Sequence, residues 1–227
     1  MGGGTILGIV NPFRAKDQFQ KLKSERKWMI ALLLVFIPGV LTVAGNAMIQ
    51  QKSQGLTNQY TEEIVTLTDQ QKEAMQSIQG LAVMITVIFG IVLVGIAWAV
   101  KSFAFHLSSK ILGGADASIS STMHLIAYTY IPFIFKGLLD IYRGLTYTPP
   151  PYEEFVRQIE NPDILLNFVR EHNVFFIWAF VLMVIAVREQ YTLSTGRALV
   201  AVAVPYAVYF VLGFLMSSIG SQLAGGI

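Results

Sequence analysis

Lys136 and Asp140 stand four residues apart, which puts an ammonium and a carboxylate on one helix face within pairing distance. Ionisable groups inside a membrane are costly and mark ion or proton paths, so the pair is a candidate for moving charge. Lys136 also stands near the end of its apolar stretch, where a lysine stem reaches the interface, and that position fits structural anchoring. The histidines, His106, His124 and His172, fall on separate segments with no His-Glu-x-x-His or comparable ligand spacing, so no metal site is expected. The chain has no cysteine, which removes disulfides, thiolate metal sites and cysteine nucleophiles together. There is no Gly-x-Ser-x-Gly elbow and no phosphate-cradling glycine loop, so neither a hydrolase nor a nucleotide-driven pump has a warrant. No acid, base and nucleophile converge. The expectation is a protein that is not an enzyme and carries no catalytic residue, metal or cofactor.

The elements that must position these groups follow from composition. Of 227 residues, 54% are hydrophobic and 13% charged, with a mean hydropathy of +0.57. A soluble domain carries about 25% charged residues, so an ordinary cytosolic enzyme is excluded, and the aromatic content excludes a disordered chain. A net charge of +2 is too small to argue for nucleic acid. A bilayer core needs about 20 apolar residues in helical form. Charge-free windows run from Trp28 to Ile49, from Leu81 to Val100 and from Ala198 to Gly220. A fourth window, around 121–140, holds His124 and Lys136 yet is uncharged from Leu125 to Phe135. The last, Val174 to Val187, spans if Arg188 snorkels and the helix continues to Tyr191. The predicted fold is an all-α polytopic membrane bundle of five helices at about 28–49, 81–100, 121–140, 173–191 and 198–220, with 1–27 as a basic N-terminal segment and 221–227 as a tail.

Positive residues near span ends are retained in the cytoplasm. Before Trp28, Arg14, Lys16, Lys21, Lys23, Arg26 and Lys27 face Asp17 and Glu25, a net of +4. The four following connections carry nets of −2, +1, −3 and +1, so the signs alternate without exception. That pattern predicts a cytoplasmic N-terminus and an outer C-terminus. No cleavable signal peptide is expected, because Thr5 to Val10 is too short for an apolar core, and the first span reads as an uncleaved anchor.

Asn11-Pro12 is a helix start, with Asn capping and Pro in the first helical position. Ala15, Phe19 and Leu22 then recur at helical spacing, with most cations off that stripe. The pattern describes an amphipathic helix on the cytoplasmic leaflet, and its cations set topology or contact an acidic partner or anionic lipid. On the outer side, Thr61-Glu62-Glu63 reads as the first turn of a helix leading into span two. Pro149-Pro150-Pro151 precedes a stripe of Tyr152, Phe155, Val156 and Ile159, and Asn161-Pro162 starts a further short helix. Gly113-Gly114 is a sharp turn, with Asp116 or Ser118 capping the next helix. Pro38, Pro132 and Pro205 fall inside three spans and predict kinks. Gly39, Gly90, Gly95 and Gly213 suggest close helix packing.

The Asn11-Pro12-Phe13-Arg14 start with its basic helix, the Gly113-Gly114-Ala115-Asp116-Ala117-Ser118 loop and Ala127-Tyr128-Thr129-Tyr130-Ile131-Pro132 together resemble the Yip family, over nearly the whole chain. Its Gly-Tyr-x-x-x-Pro signature is met by Tyr128 and Pro132, with Ala127 in place of the glycine. The resemblance implies a small five-span membrane protein. Eukaryotic members act in the early secretory pathway and contact Rab-type GTPases, and some prokaryotic members accompany ABC-type export systems. The eukaryotic Asp-Leu-Tyr-Gly-Pro signature is replaced here by Gly8-Ile9-Val10-Asn11-Pro12, which points to a prokaryotic member.

The expected function is therefore a scaffold or adaptor in the plasma membrane, or in early secretory membranes if the source is eukaryotic. It would bind membrane lipids and a protein partner at its cytoplasmic face, with self-association compatible. The alternative is a small transporter or an accessory subunit of an export system using Lys136 and Asp140.

Overall fold

The structure is a computed structural model that describes residues 8–64, 68–160 and 173–224. Every regular element among them is helical: α1 (Pro12–Ser24), α2 (Trp28–Ile64), α3 (Asp69–Ile111), α4 (Ile119–Tyr128), α5 (Ile131–Thr146), α6 (Tyr152–Glu160), α7 (Val174–Tyr191) and α8 (Thr195–Ala224). Four are long and apolar enough to cross a bilayer, and the α4–α5 pair makes a fifth span if its two halves count as one. Apolar side chains such as Leu81, Ile85, Ile88, Phe89 and Val92 are half or more exposed along α3, a surface too continuous for water but matched to acyl chains. The protein is therefore an integral, multi-pass membrane protein. The expected helix at Asn161-Pro162, His172 and the terminal Gly225-Gly226 lie outside the described residues.

The structure sharpens one expectation, the kink at Pro132, and corrects another. The third span is broken: α4 ends at Tyr128, α5 begins at Ile131, and the two are bent by 48°. Pro132 has no N–H to donate back across the break, so it sits in the first turn of α5, where none is required. The chain before it folds on itself, with Thr129 donating both its N–H (3.0 Å) and its hydroxyl (2.7 Å) to the Ile126 carbonyl. Pro38 and Pro205, by contrast, remain inside continuous helices.

The correction concerns Thr61-Glu62-Glu63, which forms the last turn of α2 rather than the first of a new helix. The Gln-rich stretch from Gln50 onward contains no proline, so nothing stops α2 when it leaves the bilayer. At 1.5 Å per residue its 37 residues run about 55 Å, well beyond a core of about 30 Å. The new helix starts at Thr68 instead. Thr68 N–H donates to Gln71 Oε1 (2.9 Å) and Gln71 N–H to Thr68 Oγ1 (3.4 Å), a reciprocal capping box.

The chain divides into two compact units that share the long helices. The first comprises Met1–Ala31, Ala97–Thr129 and Phe180–Ile227. Its core gathers Phe19, Leu22, Phe105, Leu125, Tyr128, Leu182, Met183 and Tyr191. The second comprises Leu32–Ile96 and Tyr130–Ala179. There α2 and α5 touch backbone to backbone: a Cβ on Gly45 would lie 2.5 Å from the Asp140 carbonyl, and one on Gly144 would lie 2.7 Å from the Gly45 carbonyl. Small residues at such a crossing replace the hydrophobic drive that lipid cannot supply. Gly39 and Gly90 pack as closely, against Val94 and Val43. The surroundings of the Gly213 side are outside what is described.

Candidate functional site

Helix α1 starts as the sequence suggests, with Asn11 Oδ1 accepting from Phe13 N–H at 3.0 Å and Pro12 in the first turn. Its apolar stripe does not face the leaflet. Ala15, Phe19 and Leu22 are fully buried in the first unit, with α1 packed on α4, so the hydrophobic face that would enter an interface is already occupied by protein. One polar edge of α1 is tied down as well. Lys23 donates to the Glu189 carbonyl (2.8 Å) and Gln20 Nε2 to the Glu189 carboxylate (2.9 Å). Past the helix end, Lys27 N–H donates to Nε2 of buried His124 (3.0 Å), which fixes that ring with its proton on Nδ1. Lys27 also pairs with Glu25 at 3.7 Å. Arg14, Lys16, Lys21 and Arg26 remain exposed.

The Gly113-Gly114 loop is a helix stop with a second duty. Gly113 has φ +79°, its N–H reaches the Lys110 carbonyl (3.1 Å), and Gly114 N–H reaches the Ser109 carbonyl (2.9 Å). That is the Schellman arrangement, which satisfies the last carbonyls of α3. Gly114 must also lack a side chain, because a Cβ there would lie 2.8 Å from Ser109 O and 2.9 Å from Tyr191 Cβ. Ala115 N–H then donates to the Tyr191 carbonyl at 2.8 Å. The cap of α4 is Ser118, whose hydroxyl accepts from Ser121 N–H (3.2 Å). Asp116 pairs with Lys110 instead, and that ammonium holds its carboxyl below the usual Asp range.

Both features meet at the end of α7. Glu189 O takes Lys23, Tyr191 O takes Ala115 N–H, and Arg188 O takes Leu193 N–H, so carbonyls that a helix end leaves without partners are filled from α1, from the loop and from the turn. Tyr191 is fully buried, and its hydroxyl bonds His106 Nδ1 (2.6 Å) and Thr122 Oγ1. Arg188 closes the group with Nη2 on Glu189 at 2.7 Å. Reading the sequence for sites missed Glu189 and Tyr191. The available signal was the polar run Arg188-Glu189-Gln190-Tyr191 closing an apolar span just before Ser194 and Thr195.

Lys136 and Asp140 belong to the second unit. They pair at 2.6 Å, and the same carboxylate takes the Thr42 hydroxyl (2.9 Å) and lies 3.8 Å from Arg143. With its carbonyl pressed on Gly45, Asp140 holds α5 to α2. Nearby, Lys52 donates to the carbonyls of Leu145 (2.7 Å) and Tyr147 (3.0 Å) and caps the end of α5. Of the other family-motif positions, Tyr128 ends α4 as a buried ring 5.3 Å from His124, and Pro132 begins α5.

Among known proteins, the family model of the Yip1 domain matches residues 7–216. No curated protein and no solved structure matches the chain.

Proposed function

Because the chain belongs to the Yip family, we propose that it is a non-enzymatic membrane scaffold or adaptor that presents α1 and the Gly113-Gly114 loop together, on the cytoplasmic side, to a protein partner. One observation carries this reading: Lys23 of α1 and Ala115 of the loop both donate to carbonyls at the end of α7. Two segments about 90 residues apart are thereby held against one three-residue helix end, which is what a composite docking surface requires and two unrelated topology signals do not. The alternation of charge along the connections supports the inward N-terminus. The contacts of Asp140 support a clamp between helices over an ion path, since Thr42, Lys136 and Arg143 already surround the carboxylate.

The test is affinity capture of the full chain from native membranes, followed by mass spectrometry. A partner recovered with the native protein should be lost in Lys16→Glu combined with Asp116→Lys, which change exposed side chains only. Equal recovery from both overturns the reading. Removal of residues 1–27 is a poorer test, because it also strips Phe19 and Leu22 from the core.

A further inference from the structure

Helix α1 has two polar flanks, and one of them is committed. Ala15 and Leu22 mark the inward face, so residues 16 and 23 lie about 100° round on one side and residues 14 and 21 about 100° round on the other. The first flank meets the end of α7 through Lys23. On the second, Arg14 and Lys21 are exposed and make no ion pair among the described residues, and Arg26 in the linker is in the same condition. Phe13, beside Arg14, is 96% exposed although it is a large aromatic.

The C-terminal end of this flank is tethered close to the bilayer. Arg26 is two residues from Trp28, the start of the first span, so their α-carbons are at most about 7 Å apart. Lys21 is three helical and four linker steps away, at most about 19 Å before its side chain extends. The interfacial zone is about 5–8 Å deep and the screening length about 8 Å, which puts Arg26 at headgroup level and leaves Lys21 within reach of it. Insertion of an apolar face cannot hold α1 at the leaflet, since that face is buried in protein. Charge remains.

The geometry points to this flank as a seat for anionic phospholipid headgroups, with Arg26 and Lys21, the two cations nearest the first span, meeting phosphates and Arg14 extending the row. Arginine suits the role through its fork of donors, which engages two phosphate oxygens at once. The short tether of Arg26 to the first span favours a headgroup over an acidic protein surface, which would have no reason to sit at that depth. The assignment rests on the proposed inward N-terminus and not on the adaptor role, so either can fail alone.

The experiment uses the full chain in nanodiscs of phosphatidylcholine mixed with phosphatidylglycerol. Native mass spectrometry reads the lipids retained after mild delipidation, and hydrogen exchange over α1 reports whether the helix stays seated. Native protein should retain phosphatidylglycerol preferentially. The Arg14→Gln/Lys21→Gln/Arg26→Gln variant should lose that preference by about tenfold with α1 exchange unchanged, and Lys16→Gln, on the other flank, should keep it. The inference is overturned by no preference in the native protein, by a preference that the triple variant keeps, or by equal loss in Lys16→Gln. It is also overturned if the triple variant keeps the lipid and loses a co-purifying protein.

Discussion

Tyr191 ties three parts of the first unit together, through its hydroxyl, its backbone carbonyl and the face that meets Gly114. Tyr191→Phe keeps the ring and the carbonyl and deletes only the hydroxyl, leaving His106 and Thr122 without that partner. A loss of about 1–3 kcal/mol is expected, measured by thermal unfolding in detergent. Asp116 offers a pH test. Its folded pKa is depressed by Lys110, so the contact is complete above the ordinary Asp value of 3.8 and is lost only as pH falls through a lower value. A carbon-13 titration of its carboxyl should find the midpoint below 3.8. What could be read at this scale was local. Lys136 and Asp140 announce themselves by spacing, whereas Tyr191 bonds partners 69 and 85 residues away and looks like a span boundary in sequence.

Among the elements, the Asn-Pro start of α1 and the glycine stop of α3 were legible, whereas the Thr68 start of α3 was not. Asn11-Pro12 and the glycine turn are chemical instructions, and both are obeyed. The end of α2 was not legible, because a helix leaving the bilayer continues in water unless something stops it, and the stop lies beyond Glu62 and Glu63. The break at Tyr128–Pro132 was half legible, since a proline in an apolar run permits either a kink within one helix or two helices. For α1 the cap is testable in isolation. Asn11→Ala should weaken the first turn by about 1 kcal/mol, seen as faster hydrogen exchange at residues 13–15 with the lower half of the helix unchanged, because Lys23 and Gln20 still hold it.

For the whole molecule, the number and order of apolar segments were open to reading because lipid tolerates no other backbone solution than a helix or a closed barrel. Side-chain partnerships were not, since apolar composition sets which residues face lipid and leaves helix pairing to a few small and polar residues. Sidedness is the prediction that belongs here. The absence of native cysteine lets single cysteines report it cleanly. Lys16→Cys should react with an impermeant maleimide only from the cytoplasmic side and Gln71→Cys only from the opposite side. The reverse pattern would invert the topology and remove the basis for placing α1 at the inner leaflet.

The tie between Lys23 and Glu189 also sets a schedule. Its partners are 166 residues apart, so α1 cannot be fully seated until α7 has been synthesised. At 5–20 residues per second that interval is about 10–30 s, during which Phe19 and Leu22 lack part of their final cover and the earlier spans are already inserting. Helix α1 is therefore made well before it can be fully locked, and a nascent chain stalled before Glu189 would hold its basic segment through α4 alone, without the Lys23 tie.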